Sequence, residues 1–166
     1  MNVKAHALKI LDLDAMRTER KRLRAQRKTL VFTNGCFDIL HTGHVDYLAF
    51  ARRQGDALMI GLNSDASVKR IKGNPRPLVP QADRAKVLAA LEAVDYVVIF
   101  DEDEPAGLIA EIMPDVLVKG EDWKHYVSGS AIVEDNGGRV VLAPLTQERS
   151  TSHIINKILQ TGGPGG

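Results

Sequence analysis

Five short, unbroken apolar runs, separated by helical patterns, leave this chain few folds to choose from. Residues 30–33, 57–62, 96–100, 116–118 and 139–142 do not alternate apolar with polar side chains. A strand with one wet face alternates, and a strand covered on both faces does not. Between the runs lie helical stretches: 43–53 with Val45, Leu48 and Ala49 inward, and 82–93 with Val87, Leu88 and Leu91 on one face. Further stretches are 105–112, 130–135 (stopped by Asn136-Gly137-Gly138) and 150–159 with Ile154, Ile155 and Ile158 on one side. This order predicts an α/β fold, a doubly wound five-stranded parallel sheet with helices on both faces. A helix over 12–27 with a weak stripe of Leu11, Met16 and Leu23 precedes it. Residues 64–80, rich in Lys, Arg, Gly and Pro, read as a loop.

Composition narrows the class. With 166 residues, 44% hydrophobic and 26% charged, the chain suits one globular domain with a real core. A net charge of +1 gives no global pull toward nucleic acid or anionic lipid. The single cysteine, Cys36, excludes an internal disulfide and fits a reducing cytoplasm. The start lacks a signal-peptide pattern, and no apolar run approaches the ~20 residues of a membrane span. The expected layout is a basic N-terminal helix over 1–28, a main domain over 29–160 and a flexible tail over 161–166. The cations Arg17, Arg20, Lys21, Arg22, Arg24, Arg27 and Lys28 read as a solvated helix face. No aromatics interleave them, which argues against an RNA-binding patch.

The chemistry concentrates where strands end. The first strand leads through Thr33-Asn34-Gly35 to His41-Thr42-Gly43-His44 at a helix start. A helix N-terminus offers unpaired N–H groups and a positive dipole end to a phosphate. Residues three apart share one helix face, so both imidazoles add donors there. Gly35 lets backbone approach a ligand, and Gly43 leaves the space between the imidazoles open. Neither a Walker A loop nor a dinucleotide fingerprint occurs. Two other readings of the same residues are polar capping by the histidines and a metal set of Asp38, His41 and His44. His125 or His153 would have to complete such a set. Cys36 reads as a small packing residue rather than a reactive thiol.

Three further segments belong to the same sheet edge. Lys69-Arg70-Ile71-Lys72-Gly73-Asn74-Pro75-Arg76 has the makings of an anion-gripping loop, with Lys72 the preferred ligand. Lys119-Gly120-Glu121-Asp122-Trp123 follows the fourth strand; its carboxylates suit Mg²⁺ or a ribose hydroxyl, and Trp123 either covers a ligand or packs. Glu148-Arg149-Ser150-Thr151-Ser152 opens the last helix, where Ser150 is a natural cap. Three hydroxyls beside an arginine exceed what a cap needs and point to a second phosphate cradle.

These residues resemble the nucleotidyltransferase superfamily, through Phe32-Thr33-Asn34-Gly35-Cys36-Phe37-Asp38, His41-Thr42-Gly43-His44 and Arg149-Ser150-Thr151-Ser152. Within it the chain is most similar to the heptose 1-phosphate adenylyltransferases. That similarity rests on residues 61–68, Asp83-Arg84, 94–98, 100–103 and 114–120, and covers roughly residues 28–159. These enzymes occur free-standing or as the C-terminal half of a bifunctional kinase–adenylyltransferase; without a kinase half, this chain resembles the free-standing form. The resemblance implies a Rossmann-like nucleotidyltransferase domain that transfers AMP from ATP, with Mg²⁺, to D-glycero-D-manno-heptose 1-phosphate. The products would be ADP-heptose, for lipopolysaccharide or another surface glycan, and pyrophosphate. His41, His44 and Lys72 would be catalytic. Thr33, Asn34, Gly35, Cys36, Phe37, Gly43, Lys119, Gly120, Asp122, Arg149, Ser150, Thr151 and Ser152 would bind the nucleotide. Asp38, Asn63, Asp65, Lys72, Arg76 and Arg84 would bind the acceptor. The protein would supply no metal site of its own, and relatives commonly form homodimers.

Two departures bear on the base. Family members often read Gly-Gly-Asp-Tyr where this chain has Gly120-Glu121-Asp122-Trp123, a form closer to glycerol 3-phosphate cytidylyltransferases. Those enzymes carry a basic residue five before the Ser-Thr pair, where this chain has Leu145. ATP is favoured over CTP, and a cytidylyltransferase acting on glycerol 3-phosphate or a similar alcohol phosphate is the nearest rival. A metal-dependent hydrolase and a silent nucleotide- or RNA-binding module are rivals of other classes.

Overall fold

The computed structural model describes residues 6–144 and 151–161. Five strands, β1 (Leu30–Gly35), β2 (Ala57–Asn63), β3 (Tyr96–Phe100), β4 (Val116–Gly120) and β5 (Arg139–Ala143), form one all-parallel sheet. Their order is β3-β2-β1-β4-β5. The chain therefore leaves the centre through β2 and β3, then returns to the other side of β1 to lay down β4 and β5. The doubly wound sheet expected from the apolar runs is present, with every strand but β3 extended by one or two residues at its C-terminal end.

Successive strand residues point to opposite faces, and each face builds its own core. Val31, Leu58, Ile60, Leu62 and Val97 pack against α2 (Thr42–Arg52) and α4 (Gln81–Ala90). Leu30, Phe32, Met59, Val98 and Leu117 pack against α1 (Leu13–Ala25), α5 (Ala106–Ile112) and α6 (Ser130–Asp135). Both layers are buried, which is why the strands read as continuous apolar runs.

The helix faces differ from the expected ones. Val45 and Val87 are 46% and 49% exposed, and α2 and α4 bury Ala51, Ala85 and Ala89 beside Leu48 and Leu88. Small side chains let these helices lie close to the sheet. Ile158 is likewise exposed on α7 (Thr151–Thr161), while Ile154 and Ile155 are half-buried. The expected loop over 64–80 contains a helix, α3 (Asp65–Lys72). Ser64 caps it by accepting from the Ser67 N–H, and Val68 is buried beneath it.

The basic helix is not wholly a solvated face. Arg20 of α1 is 4% exposed. Its guanidinium makes two 2.8 Å hydrogen bonds to the Asp115 carboxylate and donates to the Ile112 and Met113 carbonyls. Asp115 in turn accepts from the Leu30 N–H at 2.8 Å. One buried cation thus joins α1, the end of α5 and the starts of β1 and β4. Burial alone would raise the Asp115 pKa, but Arg20 and the Leu30 N–H together hold it below the ordinary 3.8.

Arg20→Ala is expected to destabilise the fold by about 2–3 kcal/mol, because the carbonyls and Asp115 lose a charged donor together. Urea titration at pH 7 measures this. A lowered carboxylate pKa gives stability that is present above the unfolded value and lost as pH falls through the folded one. The gap between wild type and Asp115→Asn should therefore be full at neutral pH and close below about pH 3.8.

Candidate active site

The site begins where β1 and β4 part. β1 pairs with β2 over six positions, to Gly35↔Leu62, but with β4 only at Val31↔Val116 and Phe32↔Leu117. Continuing that register would set Thr33 against Val118. Instead the Tyr47 hydroxyl stands there, 2.7 Å from Thr33 Oγ1 and donating to the Val118 carbonyl at 3.1 Å. This is the point where strand order reverses, and open α/β sheets bind ligands at such a crevice. Tyr47 also lines the cleft. Sequence reasoning passed it over, although its place three residues beyond His44 puts it on the same face of α2. Burial pushes its hydroxyl pKa up to about 12, so it stays a neutral donor.

The crevice opens into a cavity of ≈ 520 Å³. It brings together Asn34, Gly35, Cys36, Phe37, Asp38, His41, Gly43, His44, Asn63, Lys72, Arg76, Lys119, Gly120, Asp122, Thr151 and Ser152 from the expected set. Thr33 lies behind Tyr47. Arg149 and Ser150 fall outside the described residues. The cavity also takes in Trp123, read as either covering a ligand or packing, and Ile71, Asp103 and Pro144, which were not assigned a ligand role.

The loop from β1 to α2 is shaped by a contact and a turn. A side chain at Gly35 would come within 3.0 Å of the Phe37 ring. Phe37 itself holds φ at +46°, a left-handed conformation uncommon for a bulky residue. That turn seats the Phe37 ring 5.3 Å from the His44 ring. His41 and His44 stack with centroids 4.0 Å apart. His41 occupies the cap position of α2 but makes no side-chain cap bond, so the capping reading fails for it. Burial, and then the neighbouring His41, lower the His44 pKa to about 4, so the ring is neutral at pH 7. Its Nδ1 and the Asn34 Oδ1 are buried without hydrogen-bond partners among the described residues. Buried polar groups without partners are uncommon, and these two line a ligand-sized cleft.

Several expected acceptor ligands have internal work instead. Asp38 has a fully buried side chain and accepts from the Leu78 and Val79 N–H groups and from Arg76 Nε. Burial would raise its pKa, but those donors hold it below the ordinary range. With its oxygens so occupied, Asp38 is unsuited to the metal set with His41 and His44. Among the described residues, no three His, Cys, Asp or Glu side chains gather as metal ligands.

Arg84 is 1% exposed and does not line the cleft. It donates to the Val79, Cys36 and Asn63 carbonyls and pairs with Asp65 at 2.7 Å. The structure therefore makes Arg84 an internal clamp across the β1, β2 and 73–80 segments, not a ligand at the rim. Asn63 lines the cleft, but its amide nitrogen donates to Ser67 Oγ at 3.0 Å.

On the β4 side, the Lys119 ammonium sits 4.9 Å from the Trp123 ring centre, an attractive cation–π placement. Burial lowers the Lys119 pKa to about 8, partly offset by Asp122 and Cys36. Burial also pushes the Cys36 thiol up, consistent with an unreactive packing role. From the opposite wall, Thr151 Oγ1 donates to the Ile39 carbonyl at 3.1 Å. The first turn of α7 is thereby fastened to the loop that carries the histidines. Paired imidazoles, two lysines, an arginine and a helix N-terminus face one space, an arrangement built for a polyanion.

Comparison with known proteins places the chain among relatives of similar sequence and fold. The chain is 53% identical over 156 residues to the bifunctional protein HldE of Geobacter metallireducens, covering 93% of this chain and 32% of that protein. It is 55% identical over 147 residues to the bifunctional protein HldE of Syntrophotalea carbinolica, covering 88% and 29%. The chain thus spans about a third of the length of the curated relatives it matches. A solved lipopolysaccharide core biosynthesis protein from Thermoplasma volcanium superposes with a TM-score of 0.59 at 26% identity, over 74% of this chain and 99% of that one. Pantoate-beta-alanine ligase from Francisella tularensis shares the fold, with a TM-score of 0.62 at 13% identity, over 91% and 78% of the two chains. Residues 32–157 match the cytidylyltransferase-like family, and the chain belongs to it.

Proposed function

We propose that this chain transfers AMP from ATP to D-glycero-D-manno-heptose 1-phosphate, releasing pyrophosphate and forming ADP-heptose for a surface glycan such as lipopolysaccharide. The observation that carries the reading is the shared cleft: paired histidines, Lys72 and the first turn of α7 line one cavity at the switch point. The identity to HldE proteins and the lipopolysaccharide-related structural neighbour support the sugar-nucleotide class.

The chemistry suits this inventory. A phosphate monoester has a second pKa of ~6, so the acceptor oxygen is already anionic at pH 7 and needs no general base. The work is to align two anions and to stabilise charge as pyrophosphate leaves. The α2 N–H groups and the two imidazoles donate to the triphosphate, and Asn34 Oδ1 accepts from the nucleotide. Lys72 and Arg76 receive the acceptor phosphate. Thr151 and Ser152 meet the nucleotide phosphates from the other wall. Asp103 and Asp122 are the cleft carboxylates that would hold a magnesium ion carried by ATP, which would supply neutralising charge at the outer phosphates. A cation that keeps most of its waters and binds through phosphate oxygens needs no protein cage. We place the enzyme in the cytoplasm as a homodimer; among the described residues no helix is long and apolar enough to cross a membrane.

Pyrophosphate release should be measured with each of four nucleoside triphosphates against heptose 1-phosphate, hexose 1-phosphates and glycerol 3-phosphate. Turnover is expected with ATP and heptose 1-phosphate; output confined to CTP and glycerol 3-phosphate would replace this reading with a cytidylyltransferase. His44→Ala should lower kcat by two decades or more at an unchanged melting temperature, and near-normal turnover would remove His44 from the mechanism. Lys119 is charged below about pH 8 and neutral above it. Since kcat/KM reports groups of the free enzyme, kcat/KM for ATP should fall on the alkaline side with an apparent pKa near 8. Lys119→Arg should push that limb to higher pH.

A further inference from the structure

A second cavity, of ≈ 390 Å³, adjoins the cleft. It lies between the first turns of α3 and the 74–80 segment. Arg76 lines both spaces. Its Nε is held by Asp38, which fixes the guanidinium at the boundary between them.

The lining of this second space has two characters. Asp65, Lys69 and Asn74 bring a carboxylate, an ammonium and an amide. Pro77 and Leu78 bring apolar surface, and Leu78 is 47% exposed. Asp65 gives one oxygen to Arg84, which anchors it while the residue still faces the cavity. Acceptors and donors beside a flat apolar wall match a polyhydroxylated body, whose hydroxyls hydrogen-bond and whose C–H faces pack. A second nucleotide is a poor match, because the wall offers no aromatic ring for a base.

We infer that this cavity holds the polyol body of the acceptor, with its phosphate at Arg76 on the boundary, so that α3 and the 74–80 segment select the sugar. The inference rests on the sugar-phosphate reading of the main cleft and adds to it the residues that read the sugar. Ala66 is the position that tests it: it is exposed, sits on the first turn of α3 and lines only this cavity. Ala66→Trp would fill the space without touching the triphosphate cleft.

The test starts from wild type, with pyrophosphate release measured against heptose 1-phosphate, glucose 1-phosphate and glycerol 3-phosphate. Ala66→Trp and Asn74→Ala are then compared for KM of the best acceptor and of ATP, and for binding of a non-hydrolysable ATP analogue by calorimetry. The expected result is a tenfold or greater rise in acceptor KM for Ala66→Trp and a smaller rise for Asn74→Ala. Binding of the ATP analogue should stay within twofold, which also shows that each variant is folded. An unchanged acceptor KM in both variants overturns the inference and leaves the adenylyltransferase reading standing. An equal loss of analogue binding overturns it as well, since the cavity would then serve the nucleotide. If wild type prefers glycerol 3-phosphate, the heptose reading falls, and the same variants tested with that acceptor still decide the cavity's role. Turnover with no acceptor overturns both.

Discussion

The separation of β1 from β4 is the constraint on which the rest of the site depends. Two parallel neighbours that paired along their full length would leave no crevice. Here pairing stops after Phe32↔Leu117, and the Tyr47 hydroxyl takes up Thr33 Oγ1 and the Val118 carbonyl. A buried carbonyl left without a donor costs roughly 1–3 kcal/mol, so a hydroxyl at this point makes the opening affordable. Because Tyr47 sits on α2, the same bond fixes how that helix meets the sheet edge, and hence where its first turn and His44 lie. Fold and site are joined through one phenol.

Cations in this protein divide by what surrounds them. Arg20 and Arg84 are each almost wholly buried, and each faces a carboxylate and at least two backbone carbonyls. The planar guanidinium can satisfy several acceptors at once, which makes it suited to tying segments together. Such groups have no charge to spare for a ligand. Lys72 and Lys119 line the cleft without an ion pair to a carboxylate within 4.0 Å among the described residues. Arg76 is intermediate: Asp38 aims it, and it still lines both cavities. The net charge of +1 hides this division.

Much of the architecture was legible because two-sided burial writes itself as unbroken apolar runs. The lining of the cleft was legible because Gly35, Gly43 and polar residues fall where strands end and the next helix starts. What escaped the sequence was decided by tertiary contact. Arg20 is one arginine among several on α1, and only the position of Asp115 singles it out. Arg84 follows Asp83 in a segment that resembles a ligand motif, yet three carbonyls and the Asp65 carboxylate take all of its nitrogens. The helix α3 was hidden by the Lys, Arg, Gly and Pro content of 64–80, although a serine cap and the pair Val68 and Ile71 marked it. On α2 and α4, alanines face the sheet and valines face water, an inversion that a hydrophobic pattern does not reveal.

The electrostatic state of the cleft completes the picture. Burial leaves His44 neutral at pH 7 and brings Lys119 close to losing its proton. Both shifts arise because the low-dielectric wall penalises charge. A polyanion such as the proposed triphosphate would oppose that penalty, since an adjacent anion favours the protonated form of each group. By linkage, whatever raises those pKa values on binding is returned as affinity for the polyanion at a given pH. In the proposed transfer the gain would be larger where negative charge grows, at the departing pyrophosphate, than where it is already spread over bound ATP. With His44 neutral and Lys119 still protonated at pH 7, the empty cleft already carries cations, and the imidazole adds charge only where an adjacent anion favours it.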